Sequence, residues 1–317
     1  MNRRATTKDL FLLLFLALSF SACQKAESDA ETTTTSTLFQ RLDAEASGID
    51  FVNQVEDGEQ FNVLTYRNYY NGGGVAIGDV NNDGLDDVYF TANMRPNQLY
   101  LNQGTLQFVN ISEAAGIQGT KAWSTGVAMV DINADGWLDI YVCNSGDVAG
   151  DNKENELFIN NGDPSGENNQ PTFREAAAEY GLNNKGFSTH ASFFDYDLDG
   201  DLDCYLLNNS FKDPSDRGLY QQSRDERDEL GGDKLYRNDG GKFTDVSAEA
   251  GIYSSAIGFG LGISIGDING DAWPDMYISN DFWERDYLYI NNQNGTFTEK
   301  LTEQMSICSV SSMGADI

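Results

Sequence analysis

Asp79 to Asp87 reads Asp-Val-Asn-Asn-Asp-Gly-Leu-Asp-Asp, which sets carboxylate or amide oxygens at positions 1, 3, 5 and 9 of one tight loop. Oxygen donors at that spacing, joined by a backbone carbonyl from position 7, suit a hard divalent cation, Ca²⁺ above all. The same nine-residue frame returns at 131–139, 195–203 and 267–275. An EF-hand shares the Asp-x-Asx-x-Asp opening but requires flanking helices and a bidentate Glu at position 12. Position 12 here is Phe90, Val142, Leu206 and Ile278, all apolar, so the EF-hand reading fails. The fourth carboxylate arrives instead at position 9, as a loop between two strands would allow.

The elements around each loop repeat with it. A short Gly-rich apolar run precedes each one, as in Gly74-Val-Ala-Ile-Gly and Gly126-Val-Ala-Met-Val. A second run follows directly, and Leu99, Leu157, Leu235 and Leu288 mark a third. Phe108, Phe173, Phe243 and Phe297 centre a fourth, and three units close on Gly116, Gly181 and Gly251. Four short strands per unit at intervals of 52, 64 and 72 residues predict an all-β fold, a β-propeller of four-stranded blades. A sandwich would not repeat, and a solenoid of parallel coils would have a shorter period. Residues 39–51, with Ser47-Gly48-Ile49, read as the tail of a further blade. Ser312 to Ile317 read as the first strand of a fifth unit, so the expectation is a ring cut open within 38–317.

The net charge of −30 argues against nucleic acid and anionic membrane surfaces as partners, since both need a positive footprint. Many of those carboxylates belong to the loops, where bound Ca²⁺ would offset them. Four cysteines, Cys23, Cys143, Cys204 and Cys308, have no metal-type spacing. The last three are expected as buried free thiols beside strands. At the N-terminus Arg3, Arg4 and Lys8 precede an apolar run from Leu10 to Phe20, too short to span a bilayer. Phe20-Ser21-Ala22-Cys23 resembles a bacterial lipobox. That resemblance implies a signal peptide over 1–22, lipidation at Cys23, and export to the bacterial outer membrane, cell surface or periplasm. Residues 23–37 are polar, acidic and Thr-rich, a disordered tether.

The repeated loops and strands resemble the FG-GAP or VCBS-type propellers, whose best-known members are integrin α-chain heads. The likeness covers nearly all of 38–317 and looks closest to bacterial lipoproteins with such repeats ahead of an ASPIC/UnbV-type domain. It implies up to four Ca²⁺ sites with these ligands: Asp79, Asn81, Asp83 and Asp87 with the Leu85 carbonyl, and Asp131, Asn133, Asp135 and Asp139 with that of Trp137. The third and fourth sets are Asp195, Asp197, Asp199 and Asp203 with Asp201, and Asp267, Asn269, Asp271 and Asp275 with Trp273. The third loop has four carboxylates where the others have three and an Asn, which predicts the highest affinity. The fourth carries Ala272 where the others have Gly. If that position needs positive φ the strain is on the order of 1 kcal/mol, which predicts the weakest site.

No nucleophile, base and orienter assemble in the sequence, so a binding or scaffold module with structural Ca²⁺ is expected rather than an enzyme. A carbohydrate-active lyase or hydrolase, or a lectin, on the same ring is the alternative. The single histidine, His190, opens an inner strand and is either a contact in the central channel or a packed side chain. The connections between second and third strands should emerge opposite the Asp loops. They hold Arg217, Tyr220, Arg224 and Arg227 in the third unit and Phe282, Trp283 and Arg285 in the fourth. Such side chains on exposed loops are the usual anchors for a protein or glycan partner. Trp123 could extend that patch, and the membrane would be reached through the lipid anchor only.

Overall fold

The computed structural model describes residues 38–121, 123–146, 153–162, 170–215 and 221–316. The chain divides into two units, Met1–Leu42 and Asp43–Ile317. Of the first only 38–42 are described, without helix or strand, and Leu38 and Phe39 are exposed. The expected signal peptide, the tether and Cys23 lie outside the described residues.

The second unit is four antiparallel four-stranded sheets, each built in chain order. The first blade is β1 (Val75–Gly78), β2 (Asp87–Phe90), β3 (Gln98–Asn102) and β4 (Phe108–Asn110). The second is β5 (Ser124–Val130), β6 (Asp139–Asn144), β7 (Glu156–Asn160) and β8 (Phe173–Glu175). The third is β9 (Ser188–Phe194), β10 (Asp203–Asn208), β11 (Lys234–Asn238) and β12 (Phe243–Asp245). The fourth is β13 (Gly260–Gly266), β14 (Asp275–Asn280), β15 (Tyr287–Asn291) and β16 (Phe297–Glu299). The fold is all-β and of propeller type, as the repeat predicts.

The first hairpin of every blade has one register. Gly78 pairs with Asp87, Val130 with Asp139, Phe194 with Asp203 and Gly266 with Asp275. Each Asp loop is therefore the hairpin turn itself, and its position 9 is the first residue of the second strand.

The inner strands β1, β5, β9 and β13 lie in succession, and three apolar cores fill the gaps between neighbouring blades. Between the first two blades Tyr89, Leu99 and Leu101 meet Val127, Ile140, Val142 and Phe173. The turn that closes each blade tucks into the same gap through Ile117, Leu182 or Ile252. There the chain passes so near its neighbour that a Cβ on Gly181 or Gly251 would stand 2.6 or 2.8 Å from the carbonyl oxygen of Phe243 or Phe297. Both residues also have positive φ, so glycine is required twice over. Gly48 stands in the same relation to Phe108 after the short helix Ala44–Ser47, as expected for a blade tail. At the other end Ser312 donates to the Asn280 carbonyl, as Ser124 does to that of Ala92. Residues 312–316 thus run beside β13 in the place of an inner strand. Cys143 and Cys204 are buried in the core between the second and third blades, as expected for free thiols. Cys308 is exposed, because it follows the last blade rather than lying in a strand.

A second set of side chains ties the far end of each blade, and the sequence reading missed it. The residue before each third strand, or just upstream of it, accepts an N–H from the end of the second strand or just beyond it. Asn97 receives it from Ala92, Asn155 from Asn144, Asp233 from Asn208 and Asp286 from Asn280. Asn155 also donates to the Tyr141 hydroxyl, whereas Asp233 accepts from that of Tyr205. Burial raises the Asp233 carboxyl to about 7 against two opposing hydrogen bonds. A carboxyl raised above its unfolded value favours the fold while protonated and loses that contribution as pH climbs from about 4 to about 7. Asp233→Asn, which copies the second blade, should therefore flatten the fall in stability across this window by about 1 kcal/mol per pH unit. Urea unfolding at pH 5 and pH 7 checks it, and equal slopes in parent and variant would refute it.

Candidate metal centres and the opposite face

The four loops close in one way. The carboxylate at position 1 accepts backbone N–H groups from positions 5 and 6. Asp79 receives Asp83 and Gly84, Asp131 receives Asp135 and Gly136, Asp195 receives Asp199 and Gly200, and Asp267 receives Asp271 and Ala272. The position-5 carboxylate accepts from position 7, which turns the position-7 carbonyl through the loop. The loop thus forms a cup of oxygens around its own amides.

Position 9 does different work. Asp139 is fully buried, and its two oxygens accept N–H from Ile132 in the loop at 3.1 Å and from Asn160 on β7 at 2.8 Å. Asp87, Asp203 and Asp275 repeat both bonds with Val80 and Asn102, Tyr196 and Asn238, and Ile268 and Asn291. Burial raises the carboxyls of Asp87 and Asp139 to about 6 and that of Asp203 to about 7, although these amides pull the other way. The Asn that donates to position 9 also reaches its own loop, and in two blades it crosses to the preceding one. Asn160 donates to the Val80 carbonyl and Asn291 to that of Tyr196, each at 2.8 Å.

Position 3 separates the loops. Asn81, Asn133 and Asn269 each donate to the position-5 carboxylate, at 3.0, 2.9 and 3.0 Å, so these loops satisfy themselves. Asp197 has no N–H to give. Its Oδ1 is buried without a hydrogen-bond partner, and so is Oδ1 of Asp201. Asp195, Asp197 and Asp203 each bring an oxygen to within 4.8 Å of the others. Burial first, and then the neighbouring Asp199, raise the Asp197 carboxyl. Orphaned carboxylate oxygens converging on one point, all hard donors, are what a Ca²⁺ ion would complete.

Ala272 does have positive φ, at 68°, as its loop requires. The strain does not single out the fourth loop, however. Position 4 also has positive φ, and it is Asn82, Ala134 and Leu198 in the first three loops but Gly270 in the fourth. Each loop therefore carries one non-glycine residue in the left-handed region. The fourth has exchanged its glycine with a neighbouring position rather than lost it, so backbone strain gives no ground for ranking it weakest.

The face opposite the loops holds a cavity of about 580 Å³ at the N-terminal ends of the inner strands. His190 lines it, half-buried, and burial lowers its pKa. Phe282 lines it as well. The other candidate anchors are placed differently. Arg224 and Arg285 are tied into ion pairs with the buried carboxylates of Glu284 and Glu299, and Arg227 donates to Ser254 and to two backbone carbonyls. Trp283 donates to the Pro214 carbonyl. These side chains brace the long connections and are not free to reach a partner. Trp123 does not extend a surface patch, because it is buried among Phe61, Tyr66 and Tyr69. Arg217 and Tyr220 lie outside the described residues.

What roofs the cavity is the segment 53–74, which the sequence reading passed over because it lacks the repeat. Asn53 bonds Asn93 in the first blade's connection, and the Tyr66 hydroxyl bonds Ser145 after the second blade's β6. Arg67 donates to Asn209 and to the carbonyl of Lys212 in the third blade's connection. Its guanidinium lies 5.4 and 5.0 Å from the ring centres of Phe259 and Phe282 at the fourth blade. One strap therefore spans all four blades. A legible signal was there in Tyr66-Arg67-Asn68-Tyr69-Tyr70, an aromatic run with a single cation before the first Gly-rich strand.

Residues 79–142, from the first Asp loop into β6, match the model of the FG-GAP-like repeat. Cartilage acidic protein 1 of Xenopus tropicalis is 26% identical over 216 residues, which are 68% of this chain and 30% of that protein. Its Homo sapiens counterpart is 25% identical over 211 residues, 67% of this chain and 28% of that protein. The chain thus spans under a third of the length of these curated relatives. A solved Agrocybe aegerita lectin, described as recognising non-reducing terminal N-acetylglucosamine, aligns at a TM-score of 0.38 and 17% identity over 71% of this chain and 50% of that one. The chain carries FG-GAP-like repeat sequence, folded as four-stranded antiparallel blades.

Positions 1 and 9 should respond differently to substitution. Asp139→Ala strands two buried N–H groups whatever the metal, at a cost of about 3 kcal/mol. Asp131→Ala leaves amides that are exposed to water, and in EDTA should cost about 1 kcal/mol or less. Chemical denaturation of both variants in EDTA checks the order, and equal losses would contradict the division of labour.

Proposed function

We propose that this chain is a Ca²⁺-stabilised, extracytoplasmic binding module, held at a bacterial membrane by a lipid on Cys23, with the metal acting as a structural clip. The observation that carries the metal reading is the third loop. Asp197 keeps a buried oxygen without a partner where its carboxylate converges with those of Asp195 and Asp203, and Asp201 in the same loop keeps another. Asp195, Asp197, Asp199 and Asp203 would hold the ion there, with the matching donors of the other loops at up to three further sites. The bound ion would supply positive charge against carboxylates that the fold has drawn out of water. Extracellular Ca²⁺ is abundant enough to fill sites of modest affinity, which fits the lipobox-like Phe20-Ser21-Ala22-Cys23.

A role in binding rather than catalysis is supported by the way the loop chemistry is spent. Positions 1, 5 and 9 close turns and join strands through backbone amides. The face left for a ligand is the strapped one, where the cavity lies.

The stabilising role is tested by thermal unfolding of the chain in EDTA and in Ca²⁺. At Ca²⁺ a hundredfold above the dissociation constant, one site contributes about 2.7 kcal/mol. The midpoint should then rise by at least about 5 °C. Mg²⁺, which demands tighter octahedral geometry, should give less. Identical midpoints in EDTA and Ca²⁺ would refute the clip.

A further inference from the structure

We propose that the cavity beneath the strap is the binding site for a neutral saccharide, an assignment that rests on reading the chain as a binding module. The volume, about 580 Å³, falls in the range of small-ligand sites. Its polar lining is only partly spent. The Asn209 side-chain oxygen accepts from Arg67, but its amide N–H groups have no acceptor among the described residues. Asn71 projects an amide into the same space with no side-chain partner there. Asp281 lines the cavity, and one of its oxygens accepts from the Phe282 amide and from Ser311, with no hydrogen bond to the other among the described residues. His190 makes no hydrogen bond or ion pair among the described residues, and burial lowers its pKa. Free donors and free acceptors side by side are what adjacent sugar hydroxyls require, because each hydroxyl both gives and takes a hydrogen bond.

Two further features narrow the ligand class. Among the described residues Arg67 is the one guanidinium lining the cavity; its two terminal nitrogens are engaged by the Asn209 side chain and by backbone carbonyls, its plane lies near the rings of Phe211, Phe259 and Phe282, and its Nε is buried without a partner. It is not presented as a fork for a carboxylate or phosphate. Among the described lining residues Asp281 balances the Arg67 charge, in a chain of net charge −30. Phe282, meanwhile, is held at φ 59°, an unfavourable conformation for an aromatic residue. Packed edge-on against Phe259 and beside the Arg67 guanidinium, Phe282 is fixed in place as an apolar wall of the cavity.

The test is saturation-transfer NMR on the Ca²⁺-loaded chain with glucose, galactose, mannose and N-acetylglucosamine, and with glucuronate as the charged control. At least one neutral sugar should receive saturation and outcompete glucuronate. Its dissociation constant should rise about tenfold in Asp281→Ala and in His190→Ala, both checked for an unchanged melting midpoint. Absence of transfer to all the neutral sugars overturns the assignment, and so does binding that neither variant weakens. If Ca²⁺ still raises the melting midpoint in that case, the clip stands and only the cavity assignment falls.

Discussion

Each blade hangs on a carboxylate that never reaches solvent. Asp87, Asp139, Asp203 and Asp275 each take one N–H from the Asp loop and another from the third strand, so one side chain fixes the turn and three strands at once. The arrangement is strong in hydrogen bonds and poor in electrostatics. Four acids are buried in a chain of net charge −30, and their raised pKa values record how reluctantly they stay ionised. The proposed cation in the cup would resolve that conflict without touching the backbone bonds. The loops thus read as parts of the architecture first and as ligands second.

Much of this was legible because the repeat is written in residue types that physics constrains tightly. The Asp frame, the apolar runs and the closing glycines each serve one geometric need in every blade, so four copies in phase specify strand order and register together. Residues that act once left weaker traces. Asn160 and Asn291 cross between blades, but an Asn at the end of a strand looks like any turn residue until the neighbouring blade is in place. Asp233 and Asp286 stand where Asn97 and Asn155 stand, and the exchange hides the shared role. Arg224 and Arg285 looked like partner anchors because their acceptors, Glu284 in the fourth blade's connection and Glu299 on β16, lie apart from them in sequence. The strap over 53–74 carries no period at all, and its contacts are spread over four blades. Backbone strain in the fourth loop was half visible: Ala272 shows in the sequence, but the compensating Gly270 matters only once position 4 is known to have positive φ.

The two ends of the blades divide the labour. At one end the hairpins are short, uniform and rich in carboxylates, which close the loops by accepting backbone amides at positions 1, 5 and 9. At the other the connections vary in length, are bound by Asn and Asp staples, and carry a strap that leaves unspent polar groups around a cavity. Uniformity suits a clip repeated in each blade. Variation suits a surface that must discriminate, and a rigid ring of blades is what would hold that surface in shape. The third loop joins the two themes: its Asp197 breaks the self-satisfied pattern of the others, so on the proposed reading that blade would be the one most dependent on an ion.

That dependence is measured most directly by titrating Ca²⁺ into chelator-stripped protein by calorimetry, beside the Asp197→Asn variant that gives the third loop the side chain of the other three. The account predicts one tight site above a weaker class, with the tight site falling into the weaker class in the variant. Four equivalent sites, an unchanged tight site in the variant, or no binding heat at all would contradict it.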